Sequence, residues 1–236
     1  MFGLDPLSMA AGFILASGAP MCPDHPPTRI NVVPRTADVD YDYSQSLKDI
    51  QSYSTDTIDP YAFNGTTITQ GFMKGKIDMQ HKVWLKQASL PRYKAACVWY
   101  DQIVVEISID PTIVIANELY KDPCMRKAVL EHELKHVKVD REIVNKYARE
   151  MGNKLMSELK SRGFTTGPFP IEHLQEVSNK MDTVVKQLLA LQYEKMSVER
   201  KERQGNVDNL EEYTSVNDEC PDFEKNKEKL YHKWLE

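Results

Sequence analysis

The sequence predicts an α+β protein in which a small antiparallel or mixed sheet packs on a long hairpin of two helices. The first half of the 236 residues contains β-branched runs, one of which alternates between apolar and polar residues. From residue 122 onward, inward-type residues recur at steps of three, four or eight, which is the periodicity of a helix. Strands followed by helices in this way are typical of α+β architecture.

The composition is that of an ordinary globular protein. Hydrophobic residues make up 41% of the chain, charged residues 28%, and the net charge is -5. No stripe of Lys and Arg stands free of acidic residues, so a nucleic-acid partner is not expected. No apolar run reaches the roughly 18 residues of a membrane span, so no integral membrane segment is expected.

Residues 1–20 have some features of a secretory signal. Residues 7–19 are apolar and small, and they end in Ser17-Gly18-Ala19, which has the form of a signal-peptidase site, although a basic stretch before them is missing. We therefore expect an exported protein, with a cytoplasmic protein carrying a disordered or docked arm as the alternative. Export would suit two disulfides, in any of three pairings, among the four cysteines Cys22, Cys97, Cys124 and Cys220.

The elements follow in a simple order. Residues 21–65 are rich in Pro, Asp, Ser and Tyr, which predicts an extended arm or loop. Strands are predicted within 76–118, the last of them the run TIVIAN at 112–117. A helix is predicted over 123–162, with Asp122 as its N-cap, and a second over 171–203. The tail, 205–236, is expected to carry one short helix.

The first helix contains the sequence His-Glu-Leu-Lys-His at 132–136. Positions i and i+4 of a helix lie on one face, so His132 and His136 can bind one zinc ion at about 2.0–2.1 Å. Glu133, beside them, can accept the proton of an attacking water. The alternative is a pair of core histidines that flank a glutamate by chance.

At this motif the chain resembles the zincin superfamily of metallopeptidases. The resemblance covers roughly residues 95–200 and is specific at 132–136. It implies that 66–204 is a zincin-like catalytic domain, that the histidines bind Zn²⁺ and that Glu133 is the catalytic base. Val139 and Glu142 replace the glycine and third histidine of HExxHxxGxxH, so the chain is closer to the gluzincin-like type, whose third ligand comes from a second helix. A fainter likeness is to uncharacterised secreted bacterial zinc-dependent proteases.

Geometry predicts where a third ligand should lie. If the two helices pair antiparallel about the 163–170 connector, residue i faces about residue 333 − i, because both helices rise equally. Glu199 then faces the histidines, with Glu194 and Glu202 as alternatives one turn away. Asp140 is about 12 Å along the helix from His132, too far to share a zinc ion easily, so we expect it to orient His136 or an arginine, or to pair with the second helix.

These residues predict a zinc-dependent hydrolase of peptide bonds whose peptide or protein substrate lies extended along TIVIAN, as an edge strand. An alternative is a binding or structural protein without turnover, in which zinc is structural or absent. A non-peptide amide substrate is a third possibility.

Overall fold

The computed structural model describes residues 19–53 and 68–235 of the chain. It contains small sheets together with long helices, which confirms the predicted α+β class. The signal-like stretch 1–18 and the part of the predicted arm at 54–65 lie outside the described residues.

Seven strands and seven α-helices make up the described chain. The strands are β1 (Arg29–Thr36), β2 (Asp40–Asp42), β3 (Gly71–Lys74), β4 (Ile77–Leu90), β5 (Ala95–Ile109), β6 (Thr112–Ile115) and β7 (Thr165–Pro170). The helices are α1 (Leu47–Ile50), α2 (Asn117–Tyr120), α3 (Pro123–Arg162), α4 (Leu174–Val207), α5 (Leu210–Asp218), α6 (Pro221–Glu224) and α7 (Lys227–Leu235). Short 3-10 turns precede β5 and α4.

Two segments contain more regular structure than their sequences indicate. The region 21–65, expected to be an arm or loop, contributes β1, β2 and the capped helix α1. The tail after residue 205, expected to hold one helix, holds α5, α6 and α7 after the end of α4. Both segments are rich in polar residues, which hides a strand or helix that buries only a few side chains.

The described residues divide into two compact units. The first comprises 19–33, 79–107 and 147–193, and the second comprises 34–53, 68–78, 108–146 and 194–235. Helices α3 and α4 each contribute residues to both units. None of the described helices combines the length and apolar character needed to cross a lipid bilayer.

The first unit is built on a sheet in the order β1-β5-β4. Strand β7 also pairs with β5, antiparallel, from Ala95 opposite Pro170 to Trp99 opposite Thr165. A disulfide joins Cys22 to Cys97. The segment between the two long helices is therefore a strand of this sheet, and the helices are not joined by a simple tight turn.

The second unit contains a three-stranded sheet in the order β2-β6-β3. Strand β6 is central, parallel to β2 and antiparallel to β3, and its residues Ile113, Val114 and Ile115 are fully buried. The expectation that the TIVIAN run offers a free edge to a substrate is therefore wrong, because both of its edges are already paired. Among the described residues, the end strand of this sheet that lies beside α3 is β3.

Strand β3 approaches α3 closely at Gly71. A Cβ atom on Gly71 would lie 2.7 Å from the carbonyl oxygen of Val114 and 2.7 Å from Cγ1 of Val129 on α3. Glycine is therefore required for the strand to pass between β6 and the helix. This contact sets the first turns of α3 directly against β3.

Helix α3 begins and ends where its sequence predicts. The Asp122 side chain accepts hydrogen bonds from the backbone N–H groups of Cys124 and Met125, which caps the first turn. Gly163, with φ of 94°, follows the last residue, Arg162. A disulfide between Cys124 and Cys220 ties the start of α3 to the chain before α6.

Candidate metal centre

His132 and His136 converge from consecutive turns of α3. Their Nε2 atoms lie 3.3 Å apart, and the two rings are nearly perpendicular, at 79°. The i, i+4 spacing places both side chains on one face of the helix, as the sequence predicts. Two imidazole nitrogens at this separation can share one metal ion.

A third donor atom comes from Asp208, immediately after α4. Its Oδ1 lies 3.0 Å from Nε2 of His136 and 3.4 Å from Nε2 of His132. Among the described residues, these three side chains form the one group whose ligand atoms cluster closely enough for a metal ion. The structure therefore supplies a His-His-Asp set.

The triangle of donor atoms fits the dimensions of a zinc site. In a tetrahedron with metal–ligand bonds of about 2.0–2.1 Å, neighbouring ligand atoms lie about 3.3–3.4 Å apart. The three separations here are 3.3, 3.4 and 3.0 Å. Two imidazoles and one carboxylate are also donors that zinc prefers, and three protein ligands leave one coordination position for water.

The two histidines and Glu133 are buried, and Asp208 is partly buried. The exposed fraction is 8% for His132, 7% for His136 and 4% for Glu133, and 13% for the side chain of Asp208. Beyond His132, Oε2 of Glu212 lies 3.9 Å from Nδ1 of this ring and also binds Lys135. Helix α5, which carries Glu212, thus flanks the centre on this side.

Glu133 lies beside the triangle and against β3. Its carboxylate accepts a hydrogen bond from the backbone N–H of Met73, a residue of β3. Burial raises the pKa of Glu133, and the nearby histidines oppose that effect. A carboxylate with a raised pKa next to a metal position is suited to accept a proton near neutral pH.

Charge complementarity holds the triangle together in the metal-free protein. Burial lowers the pKa of His136, but the hydrogen bond with Asp208 and the charges of Glu133 and Asp208 outweigh burial and raise it to about 9. Burial raises the pKa of Asp208, yet its hydrogen bonds to both histidines dominate and lower it to about 2. Asp208 is thus a carboxylate, the form in which it can bind a cation.

The structure places Glu199, the expected third ligand, away from the histidines. Its Oε2 accepts a hydrogen bond of 2.5 Å from Nζ of Lys146. Lys146 is ten residues beyond His136, about 15 Å along a straight helix. The alternatives Glu194 and Glu202 are exposed on α4. Asp208 therefore occupies the position that geometry had assigned to Glu199.

The error lies in the register of the two helices. Within the second unit, His136 lies opposite Gln204 and Asp140 opposite Arg200, so residue i faces residue 340 − i, about two turns from the expected register. The expected register requires a symmetrical turn between helix ends that lie level with each other. The connection is instead strand β7 and a 3-10 turn, and α4 continues through Gly205 to Val207.

Asp140 has a position that agrees with the role expected for it. It is fully buried, pairs with Arg200 of α4 and accepts a hydrogen bond from Gln204, which in turn contacts His136. A sequence signal for these partners exists. Arg200, Gln204 and Asp208 recur at steps of four along α4 and just past its end. Asp140, His136 and His132 recur at the same steps along α3, so two polar stripes of matching spacing face each other.

The described chain thus contains a group of side chains that can bind a metal ion, composed of His132, His136 and Asp208. All four cysteines are paired, as Cys22–Cys97 and Cys124–Cys220, which is compatible with an exported protein. No protein-family model, curated protein or solved structure matches the chain, so the functional proposal rests on the residues described above.

Proposed function

We propose that the chain is a zinc-dependent hydrolase of peptide bonds, in which His132, His136 and Asp208 hold the metal and Glu133 is the general base. The observation that supports this most directly is the triangle of donor atoms, with sides of 3.0 to 3.4 Å, next to a buried carboxylate. A zinc ion bound there supplies a Lewis acid and lowers the pKa of water at its free position.

Glu133 is the residue that moves the proton. Its burial favours the protonated form, so the carboxylate is a better base than an exposed glutamate. It takes a proton from the attacking water and passes it to the leaving amine of the substrate. The backbone N–H of Met73 orients the carboxylate and keeps it beside the ligands.

The outer edge of β3 is the surface that suits an extended polypeptide. The N–H of Ala116 donates to the carbonyl oxygen of Gln70, so the peptide groups of Gln70 face β6. Alternation along a strand then directs the groups of Gly71 and Met73 outward, on the side of Glu133. Because the N–H of Met73 donates to Glu133, a substrate would pair with Gly71 and with the carbonyl oxygen of Met73. A peptide that added to this edge would lie along the centre, which is why we assign a peptide rather than a small amide as substrate.

The two disulfides also support a proposal about location. Disulfides persist in oxidising compartments, and all four cysteines of this chain are paired. We infer that the protein is exported. Protein denatured in the presence of a thiol-alkylating reagent should react with none of its cysteines, whereas alkylation of all four would contradict export.

Glu133→Gln tests the proposed chemistry. The variant should bind zinc as the wild type does and lose hydrolysis of an unfolded protein substrate by at least about 100-fold, because the general base is gone while the ligands remain. The control is Glu131→Gln, an exposed glutamate of the same helix that pairs with Lys127. Retained hydrolysis in the zinc-loaded Glu133→Gln protein would rule out this mechanism.

A second candidate function, a structural zinc site, is favoured by the burial of the ligands. A zinc ion at this position would join α3 to the end of α4 and stabilise the second unit without turnover. Zinc content, stability and proteolysis, measured together, distinguish the two functions. Zinc bound at one equivalent, with unfolding on chelation and no cleavage of any unfolded protein, would support the structural site.

A further inference from the structure

Gln204 connects the metal centre to an ion pair between the buried Asp140 and the partly buried Arg200. Its Oε1 lies 2.5 Å from Nδ1 of His136, and its Nε2 donates to Oδ1 of Asp140 at 2.7 Å and to the carbonyl oxygen of His136 at 3.2 Å. The residue is only 6% exposed. The amide therefore has partners at both ends within the protein.

The ion pair behind Gln204 is itself firmly held. Nε and Nη2 of Arg200 donate to the two oxygens of Asp140 at 2.7 and 2.9 Å, and Nη2 also donates to the carbonyl oxygen of Gly75 at 2.9 Å. Asp140 is fully buried. A bidentate pair of this kind fixes the direction of the carboxylate as well as its charge.

We propose that Gln204 is a positioning residue for His136 and that Arg200 and Asp140 determine which way its amide points. The proposal rests on the metal site described above. A carboxylate bound by Arg200 can only accept hydrogen bonds, so Asp140 must face the NH₂ group of Gln204. The amide oxygen of Gln204 then points toward the ring of His136, and an amide oxygen can only accept a hydrogen bond.

The donors and acceptors around His136 also determine which of its ring nitrogens carries a hydrogen. Since Oε1 of Gln204 accepts, Nδ1 of His136 must carry the hydrogen. In the neutral imidazole the lone pair is then on Nε2, the atom that lies 3.3 Å from Nε2 of His132 and 3.0 Å from Asp208. The network thus selects the tautomer and the ring orientation that metal binding requires.

Gln204→Met removes the acceptor and keeps the length of the side chain. Loss of a hydrogen-bond partner of a ligating histidine lowers metal affinity by about 10- to 100-fold, and we expect that loss here. Gln192→Met is the matched control, because Gln192 is also 6% exposed on α4 and lies twelve residues earlier, about 18 Å along the helix. It should leave zinc affinity unchanged.

Two measurements separate positioning from a general effect on folding. The first is the zinc dissociation constant, obtained by competition with a chromogenic chelator, for the wild type and both variants. The second is the proton resonance of His136 Nδ1–H in the zinc-loaded protein. We expect this resonance in the wild type and in Gln192→Met, and its loss or upfield shift in Gln204→Met.

Asp140→Asn provides a second route to the same conclusion. It places an amide where Arg200 and Gln204 require an acceptor, so the zinc affinity should fall although Gln204 is still present. This variant decides the matter if Gln204→Met does not fold.

The outcomes distinguish the positioning role from the site itself. If the wild type takes up no zinc, the metal site is wrong and the positioning role with it. If the wild type binds one equivalent but Gln204→Met and Asp140→Asn bind as tightly as Gln192→Met, with the resonance unmoved, the site stands and the positioning role is refuted.

Discussion

Alanine at position 208 removes one of the three donor atoms and leaves both histidines on α3. The same substitution at position 199 removes a carboxylate from α4 that binds Lys146. The two variants therefore test which acidic residue completes the metal site. Zinc should stabilise Glu199→Ala as much as the wild type and should stabilise Asp208→Ala far less.

The expected loss of zinc affinity in Asp208→Ala can be worked out from the number of ligands. Four-ligand structural zinc sites have apparent binding free energies of about 10–16 kcal/mol, or about 2.5–4 kcal/mol per ligand. Loss of Asp208 should thus weaken binding about 100- to 1,000-fold. At free zinc 1,000 times the wild-type Kd, zinc stabilises the wild type by about 4.1 kcal/mol and a 100-fold weaker variant by about 1.4 kcal/mol.

Thermal unfolding with and without zinc measures this difference. The missing 2.7 kcal/mol or so corresponds to a zinc-dependent rise in Tm that is smaller by about 5–10 °C. The zinc-dependent increment is the quantity to compare, because Asp208 also pairs with His136 in the metal-free protein. An increment in Asp208→Ala equal to that of the wild type would refute the assignment, and a lost increment in Glu199→Ala would restore the earlier one.

Two further predictions concern the framework around the site. Gly71→Ala should destabilise the protein by about 1–3 kcal/mol in urea unfolding, because its methyl group would lie 2.7 Å from Val114 and from Val129; an unchanged midpoint would contradict this close contact. Replacing Cys124 and Cys220 by serine opens a loop with a sequence separation of 96 and should cost about 4–5 kcal/mol by chain entropy, and equal denaturant midpoints for the two proteins would refute it.

Local signals predicted the two candidate ligands on α3 because their geometry is contained within one helix. The spacing of His132 and His136 determines that both side chains leave the same face, whatever the helix packs against. Asp122 and Gly163 mark the ends of that helix through hydrogen bonding and backbone conformation, which are also local. Periodicity and capping were therefore sufficient for this half of the site.

The third candidate ligand depends on tertiary structure, and sequence alone misplaced it. Its position is set by the register between α3 and α4, which depends on how their connection is built. Residues 165–170 pair with β5 as a strand, and this pairing is a long-range interaction that their Gly- and Pro-rich sequence does not indicate. A shift of two turns in register exchanged Glu199 for Asp208.

Local sequence patterns also could not predict the order of the strands in the sheet. Four of the six residues in the TIVIAN run are apolar, which is consistent with a strand buried on both faces. Its pairing with β2 could not be inferred, because a strand of only three residues, Asp40–Asp42, is too short for its alternation to identify a partner strand. Among the described residues, the edge strand beside α3 is therefore β3 and not β6.

His136 and Asp208 are 72 positions apart, so the centre cannot exist early in the life of the chain. A newly made polypeptide has the two histidines as soon as α3 forms, but the carboxylate reaches them only after α4 has been synthesised and has docked. Closing such a long loop carries an entropic cost that the packed helices must first offset. Tight metal uptake would thus be a late event in folding, and it would mark the molecules whose second unit is complete.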